Sequence, residues 1–180
     1  MKPWIALLRG INVGGHNRIP MAELRETCCE LGWLDVATYI QSGNIVFAAD
    51  GDAGALEEKL QTAIREDFGH DVHTLVRGRD DWAAQLAANP FPEASEREPN
   101  LVMLGLSKSP PAGQAAEALQ ERAAADERVV QKNGALWIHY PNGSARSKLT
   151  PALLDRLAGS PVTTRNWRTV SKLSDMIERQ

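Results

Sequence analysis

The chain has 180 residues, 43% hydrophobic and 24% charged, with 14 Gly and 10 Pro, proportions that exclude collagen, a long coiled coil and a disordered polyelectrolyte. That length suffices for one large core or two small ones without a metal or disulfide staple. Lys and Arg number 20 against 23 Asp and Glu, a formal charge of -3, which argues against a dedicated nucleic-acid protein while leaving room for a local basic face.

Trp4 to Leu8 is an apolar run that predicts a buried strand, and it leads into the glycine-rich segment Arg9 to Arg18. Pro20 opens a helix carrying Met21, Leu24, Cys28 and Leu31, with Gly32 as its left-handed stop. Val36 to Gln41 and Asn44 to Ala48 read as strands joined at Ser42-Gly43. A helix follows from Asp52 to Gly69, then a strand from Val72 to Arg77 and a short helix with Trp82 and Leu86. The proline-rich stretch from Asn89 to Pro99 is the natural connection to a second unit.

The pattern then repeats. Leu101 to Leu106 reads as a strand, Pro111 to Ala125 as a helix, and Arg128 to Gln131 with Ala135 to Tyr140 as a hairpin across Asn133-Gly134. Thr150-Pro151 caps a helix closed by Gly159, Val162 to Arg165 is the last strand, and Asn166 caps a final helix. Gln41 and Gln131 stand 90 residues apart, as do Val72 and Val162. The expected fold is α+β, with two ferredoxin-like βαββαβ subdomains of antiparallel sheets, each followed by an extra helix. Their boundaries are expected at 1–90 and 100–180, with a linker at 91–99.

Adjacent Cys28 and Cys29 cannot form an unstrained disulfide within a helix, which suits a reducing compartment. The N-terminal apolar run is too short for a signal segment or a membrane span. A cytoplasmic protein is expected, with no membrane partner.

Glycines between a strand and a helix let backbone amides approach an anion. Gly10 and Gly15 have the spacing of a phosphate-binding Walker loop, but His16 and Asn17 stand where its Lys and Ser or Thr belong. A plain turn is the competing reading. Within this loop Arg9 and Arg18 offer cationic groups, Asn12 a brace, and His16, the only histidine in a glycine-rich loop, the best candidate for an acid-base group.

Arg9-Gly10-Ile11-Asn12-Val13-Gly14-Gly15, Gln41-Ser42-Gly43-Asn44 and Arg165-Asn166-Trp167-Arg168-Thr169 together resemble the motifs of domain-of-unknown-function family 1697. The resemblance covers essentially the whole chain and implies a pair of ferredoxin-like subdomains, with no reaction attached. It places Arg9, Asn12, Gly14, Gly15, Gln41, Ser42, Gly43, Asn44, Arg165, Asn166 and Trp167 at motif positions, whether for folding or for a ligand.

Charge is segregated along the chain. Residues 142 to 180 hold seven basic and three acidic side chains, net +4, so the remainder carries -7. Asn142 to Lys148 has the small and basic content of an anion-binding loop through Arg146 and Lys148, while Arg165 and Arg168 flank the start of the last helix. Solvated helix faces are the plainer explanation of such charges.

Three classes of function follow. The first is binding of a phosphate-containing or other anionic ligand, a nucleotide or nucleic-acid backbone included, by Arg9, Asn12, Gly14, Gly15, His16, Arg18, Gln41, Ser42, Asn44, Arg146, Lys148, Arg165, Asn166 and Arg168. The second is a non-catalytic interaction or assembly module, such as a homodimer. The third is an acylphosphatase-like hydrolase, with Arg18 for the phosphate and Asn44 for the water, by fold analogy. Sequence-specific RNA binding is disfavoured because the strand Asn44 to Ala48 lacks paired aromatics. No catalytic residue is assigned and no cofactor is implied. His16, His70, His73 and His139 form no metal-type cluster.

Overall fold

The computed structural model describes residues 1–180 and contains two four-stranded antiparallel sheets. Strands β1 (Lys2–Leu8), β2 (Leu34–Tyr39), β3 (Asn44–Ala49) and β4 (Thr74–Gly78) form the first, in the order β2-β3-β1-β4. Helices α1 (Met21–Glu30) and α2 (Ala53–Phe68) are its crossovers, and α3 (Arg79–Ala87) follows. After α4 (Pro92–Arg97), strands β5 (Val102–Leu106), β6 (Arg128–Lys132), β7 (Ala135–His139) and β8 (Thr163–Asn166) form the second sheet in the matching order β6-β7-β5-β8. Its crossovers are α5 (Ala115–Gln120) and α6 (Pro151–Ala158), and α7 (Trp167–Ile177) closes the chain. Both sheets thus have the ferredoxin-like order, and each βαββαβ unit is followed by an extra helix.

The chain divides into two compact units, Met1–Trp82 with Leu173–Gln180, and Ala83–Lys172. In the first, alternate residues of β1 and β3, namely Trp4, Ala6, Leu8, Ile45 and Phe47, meet Leu24 and Cys28 of α1 and Leu56, Leu60 and Ile64 of α2 in one core. Trp33 stacks on Phe47 with ring centroids 3.9 Å apart, a contact worth about 0.5–1.5 kcal/mol beyond its buried area. In the second, Leu136 and Ile138 of β7 meet Leu119 of α5 and Leu154 and Ala158 of α6.

Local chemistry sets most boundaries. The Asp52 side chain accepts from the Ala55 amide, and Thr150, before Pro151, accepts from Leu153. Gly69 and Gly159 end their helices at φ of 71° and 87°. Asn133 and Gly134 both have positive φ, as a two-residue hairpin turn requires.

Three details depart from the sequence reading. The helix expected over Pro111 to Ala125 is confined to Ala115–Gln120. Gln120 turns its amide to the backbone of Glu127 and Val129, and the Glu127 carboxylate takes the Ala124 amide, so the chain bends away after one and a half turns. The first hairpin closes through residues 40–43, with Tyr39 opposite Asn44, rather than tightly at Ser42-Gly43. Finally, one of the two 90-residue landmarks fails: Gln131 lies within β6 opposite Leu136, whereas Gln41 lies in a loop; Val72 and Val162 are both buried just before the last strand of their sheets. Ile5 stands opposite Val46 and Arg77, 31 residues apart, whereas Leu104 stands opposite Trp137 and Arg165, 28 apart, so no constant offset fits both sheets. The repeat is real, but insertions in its loops erase a constant spacing.

Candidate functional site

The glycine-rich segment of the first unit is a miniature hairpin. Val13 and His16 bridge each other, and Gly14 and Gly15, at φ of 58° and 78°, form its two-residue turn. The His16 amide donates to the Val13 carbonyl at 2.9 Å, while its side chain is exposed, as is that of Arg18. Ile11 and Ile19 anchor the two ends in the core.

Asn12, at φ 54°, is the brace of this segment. Its Nδ2 donates to the carbonyls of Ile19 and Gln41, each at 2.9 Å, and its Oδ1 accepts the Ile19 amide at 2.8 Å. Asn17 Nδ2 donates to the Gly10 carbonyl at 3.0 Å. The partly exposed Arg9 follows β1, and its amide donates to the His73 carbonyl at 3.0 Å.

The second motif is the loop that Asn12 grips. A Cβ on Gly43 would lie 2.7 Å from both Ile11 Cδ1 and Leu8 Cβ, and its φ is 82°, so glycine is required there twice over. Asn44 is fully buried, and its Nδ2 donates to the Tyr39 carbonyl at 2.9 Å and to Ser42 Oγ at 3.1 Å. These contacts knit the end of the sheet together and hold the Asn44 amide inside it.

The third motif joins β8 to α7 in the second unit. Asn166 Oδ1 accepts the Thr169 amide at 3.0 Å, which makes it the helix cap. Trp167 packs against the buried Trp137 with centroids 6.0 Å apart. Arg165 Nη1 donates to the Thr164 carbonyl at 2.9 Å. Burial pushes this guanidinium down from 12.5 to about 10, so it remains charged at neutral pH. Arg168 is exposed.

The basic loop Asn142 to Lys148 lines a cavity of about 480 Å³ in the second unit, and Arg146 and Lys148 stand in its wall with Ala123, Asp126 and Glu127. Both acids are engaged: Asp126 accepts from Asn142 Nδ2, and the buried Glu127 accepts the Ala124 amide at 3.0 Å. Arg146 and Lys148 are exposed and form no ion pair with either. Sequence reasoning missed Asp126 and Glu127. The hairpin signal contained them, because pairing Arg128 with His139 sets the residues before β6 beside those after β7. The molecule has no group of three His, Cys, Asp or Glu suited to a metal ion, and no helix long and apolar enough to cross a membrane.

The model of a family described as protein of unknown function (DUF1697) matches residues 1–137. The chain belongs to this family. The DUF1697 match takes in the Arg9 to Gly15 and Gln41 to Asn44 motifs and ends before the basic loop and Arg165. No curated protein matches the chain. Among solved structures it is similar to the conserved bacterial protein SP0830 from Streptococcus pneumoniae, at 24% identity and a TM-score of 0.72, over 98% of each chain. That likeness bears on the fold and gives the DUF1697 chain no reaction.

Proposed function

We propose that this protein binds a phosphate-containing or other small anionic ligand, with the basic loop of the second unit as the place where the anion is held. The observation that carries this reading is the pair Arg146 and Lys148, which line one cavity while its acids, Asp126 and Glu127, are engaged by Asn142 and the Ala124 amide. Cations without an internal partner are available to an anion at little cost in broken contacts. Asn12, Gly43, Asn44 and Asn166 serve the fold in this reading. Arg9, Arg18, Arg165 and Arg168 are not among the residues that line this cavity. The setting proposed is the cytoplasm, consistent with free cysteines at 28 and 29.

A thermal-shift screen of the whole chain at two salt concentrations, against inorganic phosphate, small phosphate monoesters, nucleotides and short single strands, tests it. A ligand at about 100 times its dissociation constant stabilises a fold by roughly 2.7 kcal/mol. Stabilisation by a phosphate compound that disappears in Arg146→Ala and Lys148→Gln is the expected result. No shift with any of them overturns the proposal. A shift confined to the strands and steeply weakened by salt would replace it with nucleic-acid binding.

A further inference from the structure

Resting on that reading, we infer that the cavity beside the basic loop selects a small zwitterion, a phosphate monoester that also carries an amine, over a plain anion or a polyanion. Its wall carries two cations, Arg146 and Lys148, and two carboxylates, Asp126 and Glu127, so its formal charge is zero. A neutral wall gives no net attraction for a nucleic-acid backbone, whose binding grows with uncompensated positive charge.

The opposite charges do not close on one another. An exposed acid–base pair gains little in water, so the two signs can stand apart on one surface. Here neither Arg146 nor Lys148 makes an ion pair with Asp126 or Glu127, although all four line the same cavity of about 480 Å³. Asp126 is tethered by Asn142 on the same rim, and Glu127 by the Ala124 amide, which keeps both carboxylates on their side. A ligand spanning the gap satisfies both walls at once: its phosphate takes the guanidinium and ammonium donors, and its ammonium donates to the carboxylate of Asp126. Ser147 Oγ is already committed to the Leu149 amide at 3.0 Å and holds the loop in shape.

Calorimetric titration of the whole chain with O-phosphoethanolamine, inorganic phosphate and a short single-stranded DNA tests the inference. O-phosphoethanolamine is expected to bind about tenfold or more tightly than phosphate. Asp126→Asn, which keeps an acceptor for Asn142 while removing the charge, should erase that advantage by weakening O-phosphoethanolamine, while phosphate binding is retained or tightened because a negative charge leaves the wall. Lys148→Gln should weaken both. Phosphate binding equal to or tighter than O-phosphoethanolamine, with the Lys148→Gln loss retained, overturns the zwitterion and leaves the anion site standing. Tighter binding of the DNA also overturns it. Binding of neither small ligand, or binding indifferent to Lys148→Gln, overturns both.

Discussion

Asn12 and Gln41 are joined by a hydrogen bond from Nδ2 of the one to the carbonyl of the other at 2.9 Å, across 29 residues of sequence. That bond links the glycine hairpin to the β2–β3 loop, so two of the three motifs form one structural joint. Removing the Asn12 amide strands two carbonyls and the Ile19 amide. Asn12→Ala is expected to lower stability by about 2 to 3 kcal/mol. Urea unfolding measures it, and phosphate binding measured in parallel should not change.

Gly43 and Gly15 provide a matched pair of glycine replacements. Both have positive φ, but a Cβ at Gly15 meets nothing within 4 Å, whereas at Gly43 it collides with Leu8 and Ile11. Gly15→Ala therefore costs only the left-handed backbone, about 1 to 2 kcal/mol. Gly43→Ala adds overpacking and is expected to cost about 2 to 4 kcal/mol. Equal unfolding midpoints for the two variants would contradict this account of the motif.

Asn166 offers a choice between a cap and a ligand contact. As the cap that accepts the Thr169 amide, it should cost about 1 kcal/mol when replaced by Ala and almost nothing when replaced by Ser or Asp. Thermal unfolding of the three variants distinguishes these outcomes. Loss of phosphate binding in a fully stable Asn166→Ser would instead make it a ligand contact.

Alkaline pH should destabilise the protein. Burial, with a smaller contribution from Cys29, raises the Cys28 thiol from 9.0 to about 12, and burial with the charge of Glu127 raises the Tyr140 phenol above its ordinary 10.0. Both groups thus stay protonated in the folded chain while the unfolded chain ionises, so stability is full below pH 9 and falls as pH rises above it. Cys28 alone should remove about 1.4 kcal/mol by pH 10, and the fall between pH 8 and pH 10 should be shallower in Cys28→Ala. At neutral pH a thiol reagent should modify the exposed Cys29 in the folded protein and reach Cys28 only after unfolding.

What could be read from the chain is what short-range chemistry decides. Asp52, Thr150-Pro151, Gly69, Gly159 and Asn133-Gly134 act within four residues of themselves, so the order of elements, the doubled βαββαβ pattern and these caps are legible in the sequence. Proximity created by strand pairing was not. Gln41 and Gln131 look alike in sequence, yet only register shows that one lies in a loop and the other in a strand. The composition of a glycine-rich segment does not say what shape it takes, and the Val13–His16 bridge with the Asn12 bonds shows that this one turns a hairpin. The cavity wall shows the same division. Its cations were visible as a basic stretch, whereas Asp126 and Glu127 join Arg146 and Lys148 only because the β6–β7 hairpin folds one onto the other, and long-range pairing of that kind is decided by burial and hydrogen bonding over the whole sheet.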